Sequence, residues 1–243
     1  MGIAQRVIKR AARIGPLRSI RARLVAMRVQ RRRSWRVDVS KFIEPGCPFR
    51  LNVGCGTNPK PGWVNIDLGR GADVAVDVRG GLPFDDHSCD LIYSEHFLEH
   101  LIYPQESVPF LRECRRILKA DGRIEIGVPD AHYVVESCLN DPIDPDFLAT
   151  VELNDWGYPE SCRTGFEYIN YHFRLDEDHK FAFDLTTLRL HLEDAGFADI
   201  RQRDFDSSLD CQKRAVGTLY VVATPGLEKA VDRDVERDMA KHE

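Results

Sequence analysis

The chain has 243 residues, 43% of them hydrophobic and 30% charged, which suffices for one well-buried domain with appendages. No apolar run approaches the roughly 18–20 residues that span a bilayer, and no secretory apolar region stands near the N-terminus. The net charge of −5 hides a division: residues 1–36 carry 12 Lys and Arg and no acid, leaving 22 basic residues against 39 acidic in the rest, so the two regions are expected to meet different partners.

Within the basic arm, Gly15-Pro16 separates two helical segments. In the second, Leu17, Ile20, Leu24 and Met27 recur at helical spacing with arginines on the other faces, a basic amphipathic pattern. It suits an anionic membrane surface, phosphate neutralisation on nucleic acid, or an arm that only solvates the protein. Membrane contact is preferred over nucleic acid. Residues 37–48 link the arm to the core, with Pro45-Gly46 as a turn. Seven cysteines stand at 47, 55, 89, 114, 138, 162 and 211 with no CxxC spacing. That usage fits reduced thiols in a cytoplasmic protein.

The core opens with RLNVGCGTNPKPGWVNIDL, residues 50–68. It reads as a strand at 50–53, a glycine turn at Gly54-Cys55-Gly56, a second strand at 63–66, and an acid, Asp67. Glycines after a first strand let the backbone approach a ligand closely. An acid ending the next strand can accept hydrogen bonds from ribose hydroxyls. Pro59 occupies the place of the third glycine of a dinucleotide fingerprint, and Asp67 follows Gly54 by only 13 positions where such a fingerprint expects about 20. The stretch therefore predicts a site for an adenosine without a pyrophosphate. Cys55, inside the turn, reads as a small filler rather than a nucleophile.

LNVGCG followed by an acid at the end of the second strand resembles the first motifs of class I S-adenosylmethionine-dependent methyltransferases, the type 11 group in particular. Residues 73–76 then predict a short third strand ending at Asp77. LPF followed by acids and CDLIYSEH (residues 82–96) is similar to the loop and fourth strand of that group. The resemblance implies that Asn52, Gly54, Cys55, Gly56, Asp67, Leu68, Asp77, Val78, Ser94 and Glu95 bind the cofactor, S-adenosyl-L-methionine. Asp77 would accept from the adenine amino group, and Val78 would pack on the ring. Ser94, Glu95 and His96 would emerge at the carboxyl end of the fourth strand, where ligands sit in open α/β sheets.

His96, Glu99 and His100 form H-x-x-E-H, a pattern that also occurs in zinc peptidases. Its place after a strand argues against a peptidase. Some O-methyltransferases of this fold bind a divalent ion with E-x-x-E-H, but His96 stands where the first Glu would be. The resemblance to the type 11 group implies no metal.

Residues 104–119 predict a helix, firm only from 110 because Pro109 would break its start. A fifth strand at 123–128 follows, and Asp130 at its carboxyl edge could line the site. Residues 131–183 hold a helix at 131–139, a turn-rich segment, then interleaved aromatics from Trp156 to Phe173. They suit a ring-bearing or sugar-like acceptor and the core of a lid equally. HKFAFDLTTLRLHLEDAGF, residues 179–197, resembles a run in methyltransferases encoded among polysaccharide-assembly enzymes, which makes His179 a substrate-side candidate. A helix over 184–194 with Asp184 as N-cap and strands at 198–205 and 215–223 complete the domain. In the tail, Leu227, Val231, Val235 and Met239 form a narrow stripe that predicts a short docking helix.

The predicted architecture is α/β: a Rossmann-like seven-stranded, mostly parallel sheet over residues 37–226, helices on both faces, and a C-terminal antiparallel hairpin. Residues 131–183 cover the pocket, and 1–36 and 227–243 are appendages. The predicted activity is methyl transfer to a small-molecule or carbohydrate-type acceptor in saccharide or cell-surface biosynthesis. The candidate general bases are His96, Glu95, His179 and His172, in that order. The alternatives are a nicotinamide-dependent oxidoreductase and a membrane-associated binding module that keeps only the cofactor fold. The expected location is cytoplasmic, with peripheral membrane contact through the arm.

Overall fold

The computed structural model of the protein describes residues 36–226 apart from 70, 141, 155 and 176. The basic arm up to residue 35 and the tail from 227 lie outside the described residues, and with them the amphipathic helices expected there.

Short apolar runs form the strands. Leu51 and Val53 of β1 (Arg50–Val53), Val64 and Ile66 of β2 (Val64–Asp67), and Ile124, Ile126 and Val128 of β5 (Leu118–Pro129) are all at most 1% exposed. Near-continuous burial of this kind belongs to a parallel sheet covered on its faces. With β3 (Val74–Ala75), β4 (Cys89–Glu95), β6 (Phe197–Arg203) and β7 (Thr218–Pro225), they make one seven-stranded sheet in the order β3-β2-β1-β4-β5-β7-β6. Strands β1 to β5 pair in parallel. Strand β7 runs antiparallel between β5 and β6, so the closing hairpin expected from the sequence is present.

Five α-helices are described: α1 (Ser107–Ile117), α2 (Ala131–Leu139), α3 (Pro145–Asn154), α4 (Gly165–Arg174) and α5 (Leu185–Asp194). Phe110, Leu111, Cys114 and Ile117 of α1 and Leu188 and Leu192 of α5 enter the same core as the sheet. Each fully buried side chain of this size stabilises the fold by about 1.5–3 kcal/mol.

Three expectations are corrected. Pro109 lies in the first turn of α1, which starts at Ser107; first-turn N–H groups have no helical partner, so the missing donor costs little. The third strand is only Val74–Ala75. Asp130, at the carboxyl edge of β5, caps α2, accepting from the His132 and Tyr133 amides. The segment between α2 and α5 contains two helices, α3 and α4, that were not predicted. The first is weakly amphipathic, and the second starts from a Thr164–Glu167 capping box. Among the described residues no α-helix joins β1 to β2, consistent with the short spacing from Gly54 to Asp67.

Candidate active site

The chain order reverses between β1 and β4: β2 and β3 extend the sheet on one side of β1, and β4 opens the other side. Ligands bind at the carboxyl ends of strands beside such a reversal, and the predicted cofactor residues collect there. After β1, Gly54 has φ +70, and a Cβ on it would stand 2.5 Å from the Phe97 ring. Glycine is thus required both by backbone conformation and by close packing. The Asp67 carboxylate accepts the Gly56 amide at 3.0 Å with one oxygen and the Gly69 amide at 2.9 Å with the other. It clasps the turn, and its remaining lone pairs are available to ligand hydroxyls. Buried Asn52 donates to Asn65 Oδ1 at 2.9 Å and to the Asn58 carbonyl at 3.2 Å. Asn65 in turn accepts the Lys60 amide at 2.7 Å. This ladder fixes the 56–63 connection in place of a crossover helix. Burial pushes the Cys55 thiol up, consistent with an inert filler.

Leu68, Asp77, Val78, Phe97, His100 and Leu101 line a cavity of about 190 Å³ beside Gly54 and Asp67. Leu68 is 69% exposed, an apolar side chain presented at the rim. Asp77 caps the 3-10 turn Val78–Gly80 and receives Arg79 Nε at 2.9 Å and Nη2 at 3.1 Å. An adenine amino group would share these oxygens with Arg79. Arg79, Phe97 and Leu101 are lining residues of this cavity that the sequence did not single out.

The end of β4 carries the next group. Ser94 is buried with its hydroxyl unpartnered. The Glu95 carboxylate accepts Tyr220 OH at 3.0 Å, the Cys211 amide at 3.2 Å and Arg214 Nη1 at 3.3 Å. With three donors in place, Glu95, the second of the predicted bases, anchors the β6–β7 connection. His96 has φ +52, an uncommon conformation for a non-glycine residue and one that tends to occur at functional sites. Its amide donates to the Gly127 carbonyl at 2.8 Å, and its Nε2 is hydrogen-bonded to Thr218 Oγ1 at 2.8 Å. Burial drives its pKa well below the ordinary histidine value, aided by the Arg214 charge and then by the imidazoles of His179, His172 and His100. Within H-x-x-E-H only Leu98–His100 is helical, as a 3-10 turn, so His96 and His100 do not share a helical face.

A second cavity of about 280 Å³ is lined by His96, His172, His179, Trp156, Tyr158 and Arg214 among others. Three of the four predicted bases therefore meet in one place. The aromatics divide between a buried cluster and a cavity wall. Phe147 is fully buried, with Tyr133, Trp156, Tyr158 and Tyr168 packed around it, while Trp156 and Tyr158 also face the cavity. His172 Nδ1 is hydrogen-bonded to Tyr158 OH at 2.8 Å, and burial lowers its pKa to about 4. Burial also lowers that of His179.

The larger hollow along Asn52, Gly54, Cys55 and Glu95, about 750 Å³, is also lined by Lys60 and by Asp210, Cys211 and Arg214 of the β6–β7 connection. These residues were not predicted. Their polarity reads as an ordinary hairpin loop, and only the sheet order brings residue 214 to residue 95.

The glycine approach, the Asp67 clasp and the orphaned Ser94 hydroxyl fit S-adenosylmethionine. The family of methyltransferase domains, type 11, matches residues 55–126. Residues 55–126 thus match a methyltransferase domain, and the strands that hold them lie in the sheet order given above. No curated protein matches the chain. Solved structures similar to it include a CurJ carbon methyltransferase, 11% identical, with a TM-score of 0.42 over 77% of this chain and 51% of that one. The chain thus spans about half the length of that relative. A methyltransferase from Archaeoglobus fulgidus is 17% identical, with a TM-score of 0.43 over 84% and 94% of the two chains. One from Methanosarcina mazei is 16% identical, with a TM-score of 0.45 over 78% and 97%. Among the described residues no helix is long and apolar enough to cross a membrane.

Proposed function

We propose that the enzyme methylates a hydroxyl of a small, ring-bearing acceptor of carbohydrate type, with His96 as the general base. The supporting observation is the cavity that gathers His96, His172 and His179 beneath Trp156 and Tyr158. Flat aromatic walls suit the C–H faces of a sugar ring, and imidazole and amide groups suit its hydroxyls.

S-adenosylmethionine supplies an electrophilic methyl group on sulfonium. The protein's part is alignment and exclusion of water. Asp67 would take the ribose hydroxyls, Leu68, Val78 and Phe97 would flank the base, and the Gly54–Gly56 turn with Asn52, Cys55 and Ser94 would hold the remainder. Asp77 would touch the adenine edge only jointly with Arg79. His96 is neutral at physiological pH. When its Nε2–H donates to Thr218, Nδ1 keeps a lone pair for the acceptor's proton. Glu95 positions Arg214 and the Cys211 amide at the rim.

An acceptor screen with methyl-labelled cofactor tests this. Label in hydroxylated sugars or sugar conjugates is expected. Label only in amines, proteins or nucleic acid would overturn the acceptor class. The basic amphipathic pattern of residues 17–27 supports contact of the N-terminal arm with an anionic membrane surface.

A further inference from the structure

Glu99 does not take part in the methyl transfer proposed above, yet it is among the most costly groups in the protein. It is 1% exposed, and neither carboxylate oxygen receives a hydrogen bond from another described residue. A buried carboxylate in this state calls for a proton or a cation.

Two imidazoles face it. One ligand atom each from Glu99, His100 and His179 lies within 4.8 Å of the other two. His100 Nε2 stands 3.9 Å from Glu99 Oε1, too far for a hydrogen bond. The His100 and His179 ring centroids are 5.2 Å apart. Both rings are held by their other nitrogen: His179 Nδ1 is 2.8 Å from the His172 carbonyl, and His100 Nδ1 is 3.3 Å from the Asp178 carbonyl and 3.4 Å from its carboxylate. A carbonyl accepts only, so each Nδ1 carries the hydrogen and each Nε2 keeps its lone pair. Metal-ligating histidines are oriented in this way. The backbone holds the set together, since the Glu99 carbonyl accepts the amides of Lys180 at 2.8 Å and Phe181 at 3.2 Å.

We propose that Glu99, His100 and His179 bind one divalent transition-metal ion. Two imidazoles and a carboxylate suit Zn2+, Co2+ or Mn2+. Three protein ligands leave a coordination position open, as in catalytic rather than structural sites. His100 also lines the cavity beside Asp67, and His179 the cavity beside His96. The ion would therefore lie between cofactor and acceptor, with its open position suited to an acceptor oxygen. The placement of the third ligand 79 residues beyond His100 explains why H-x-x-E-H alone misdirects: its first histidine is turned to Thr218, and a histidine of the covering segment replaces it.

The test uses the full chain stripped with a chelator and titrated with Zn2+ by calorimetry, and with Co2+ by visible absorption. One ion per chain is expected, with Co2+ bands of a site containing nitrogen ligands. Glu99→Gln and His179→Ala should each weaken Zn2+ binding at least 100-fold and abolish those bands. His179 is partly exposed, so H179A is expected to fold even if E99Q does not, and S-adenosylhomocysteine affinity reports on this independently of the metal. Failure to bind either ion, or equal affinity in wild type and H179A, would overturn the site. Loss of S-adenosylhomocysteine binding by the wild-type chain would instead strike at the cofactor assignment.

Discussion

His96 and Thr218, 122 residues apart in sequence, meet at 2.8 Å across the carboxyl end of β4 and the start of β7. The bond holds an imidazole in a left-handed backbone conformation beside the cavity lined by His172 and His179. With His96 as base, His96→Gln should lower kcat by about 10²–10⁴-fold, the usual contribution of general-base catalysis, with S-adenosylhomocysteine affinity unchanged. Turnover of labelled cofactor on the identified acceptor measures it, and full activity in the variant would remove His96 from the mechanism.

Gly54 and Phe97 give a prediction on the cofactor side. An alanine at 54 must adopt φ +70 and place its Cβ 2.5 Å from the Phe97 ring. The left-handed conformation alone costs roughly 1–2 kcal/mol, and displacing Phe97 deforms the cavity it lines. Gly54→Ala should therefore weaken S-adenosylhomocysteine binding at least tenfold by calorimetry. Gly46→Ala, at a comparable positive φ with open space around it, should leave that affinity intact.

The sheet and the cofactor turn were legible in the sequence because their signals are local. Apolar runs, Gly54, Gly56 and Asp67 fall within 18 residues. The covering segment was less so, because α3 has almost no amphipathic contrast and its residues pack on an aromatic cluster rather than the sheet. The polar residues His96, His172 and His179 were legible one by one, but the contacts that join the polar half of the site were not. Arg214 reaches Glu95, and His179 reaches His100, only through the antiparallel β7 insertion and the return of the chain at 179–181. No periodicity records those contacts.

The His96 pKa gives a pH dependence whose sign follows from linkage. Folded His96 is held well below its ordinary value of 6.5 by burial, then by Arg214 and by the His179, His172 and His100 imidazoles. The unfolded chain binds the proton more tightly. The stability tied to neutral His96 is fully present above pH 6.5 and is lost as pH falls below it, by up to about 1.4 kcal/mol per unit. Denaturant unfolding of wild type should fall more steeply from pH 7 to 5 than that of His96→Asn. The comparison removes the contributions of His172 and His179, which slope the same way. Parallel curves would contradict a buried neutral His96.

The arm invites a measurement that needs no acceptor. Twelve basic residues and no acids in residues 1–36 are worth about 1 kcal/mol each near an anionic surface. The full chain should float with vesicles containing phosphatidylserine and lose that behaviour at high salt. A chain lacking residues 1–36 should not float. Equal flotation of both would move the membrane contact elsewhere, and flotation of neither would leave the arm without this role.

Asp210 and Arg203 define the last prediction. Asp210 receives Arg203 Nη1 at 2.6 Å and Nη2 at 2.7 Å, Tyr93 OH at 3.0 Å and the Asp206 amide at 2.7 Å. Glu125 lies 2.8 Å from Arg203 Nε, out of line for a hydrogen bond and therefore a charge contact alone. The cluster ties β4, β5 and β6 to the connection that carries Arg214. Removing Asp210 leaves Arg203 only the Glu125 charge contact, and breaking a buried pair of this kind costs about 3–5 kcal/mol. Asp210→Ala should show that loss in denaturant unfolding. Asp210→Asn, which keeps one acceptor for the guanidinium and a polar partner for Tyr93, should lose less. If the two variants were equally stable, shape rather than charge would hold the connection, and the rim of the cofactor hollow would owe its position to packing alone.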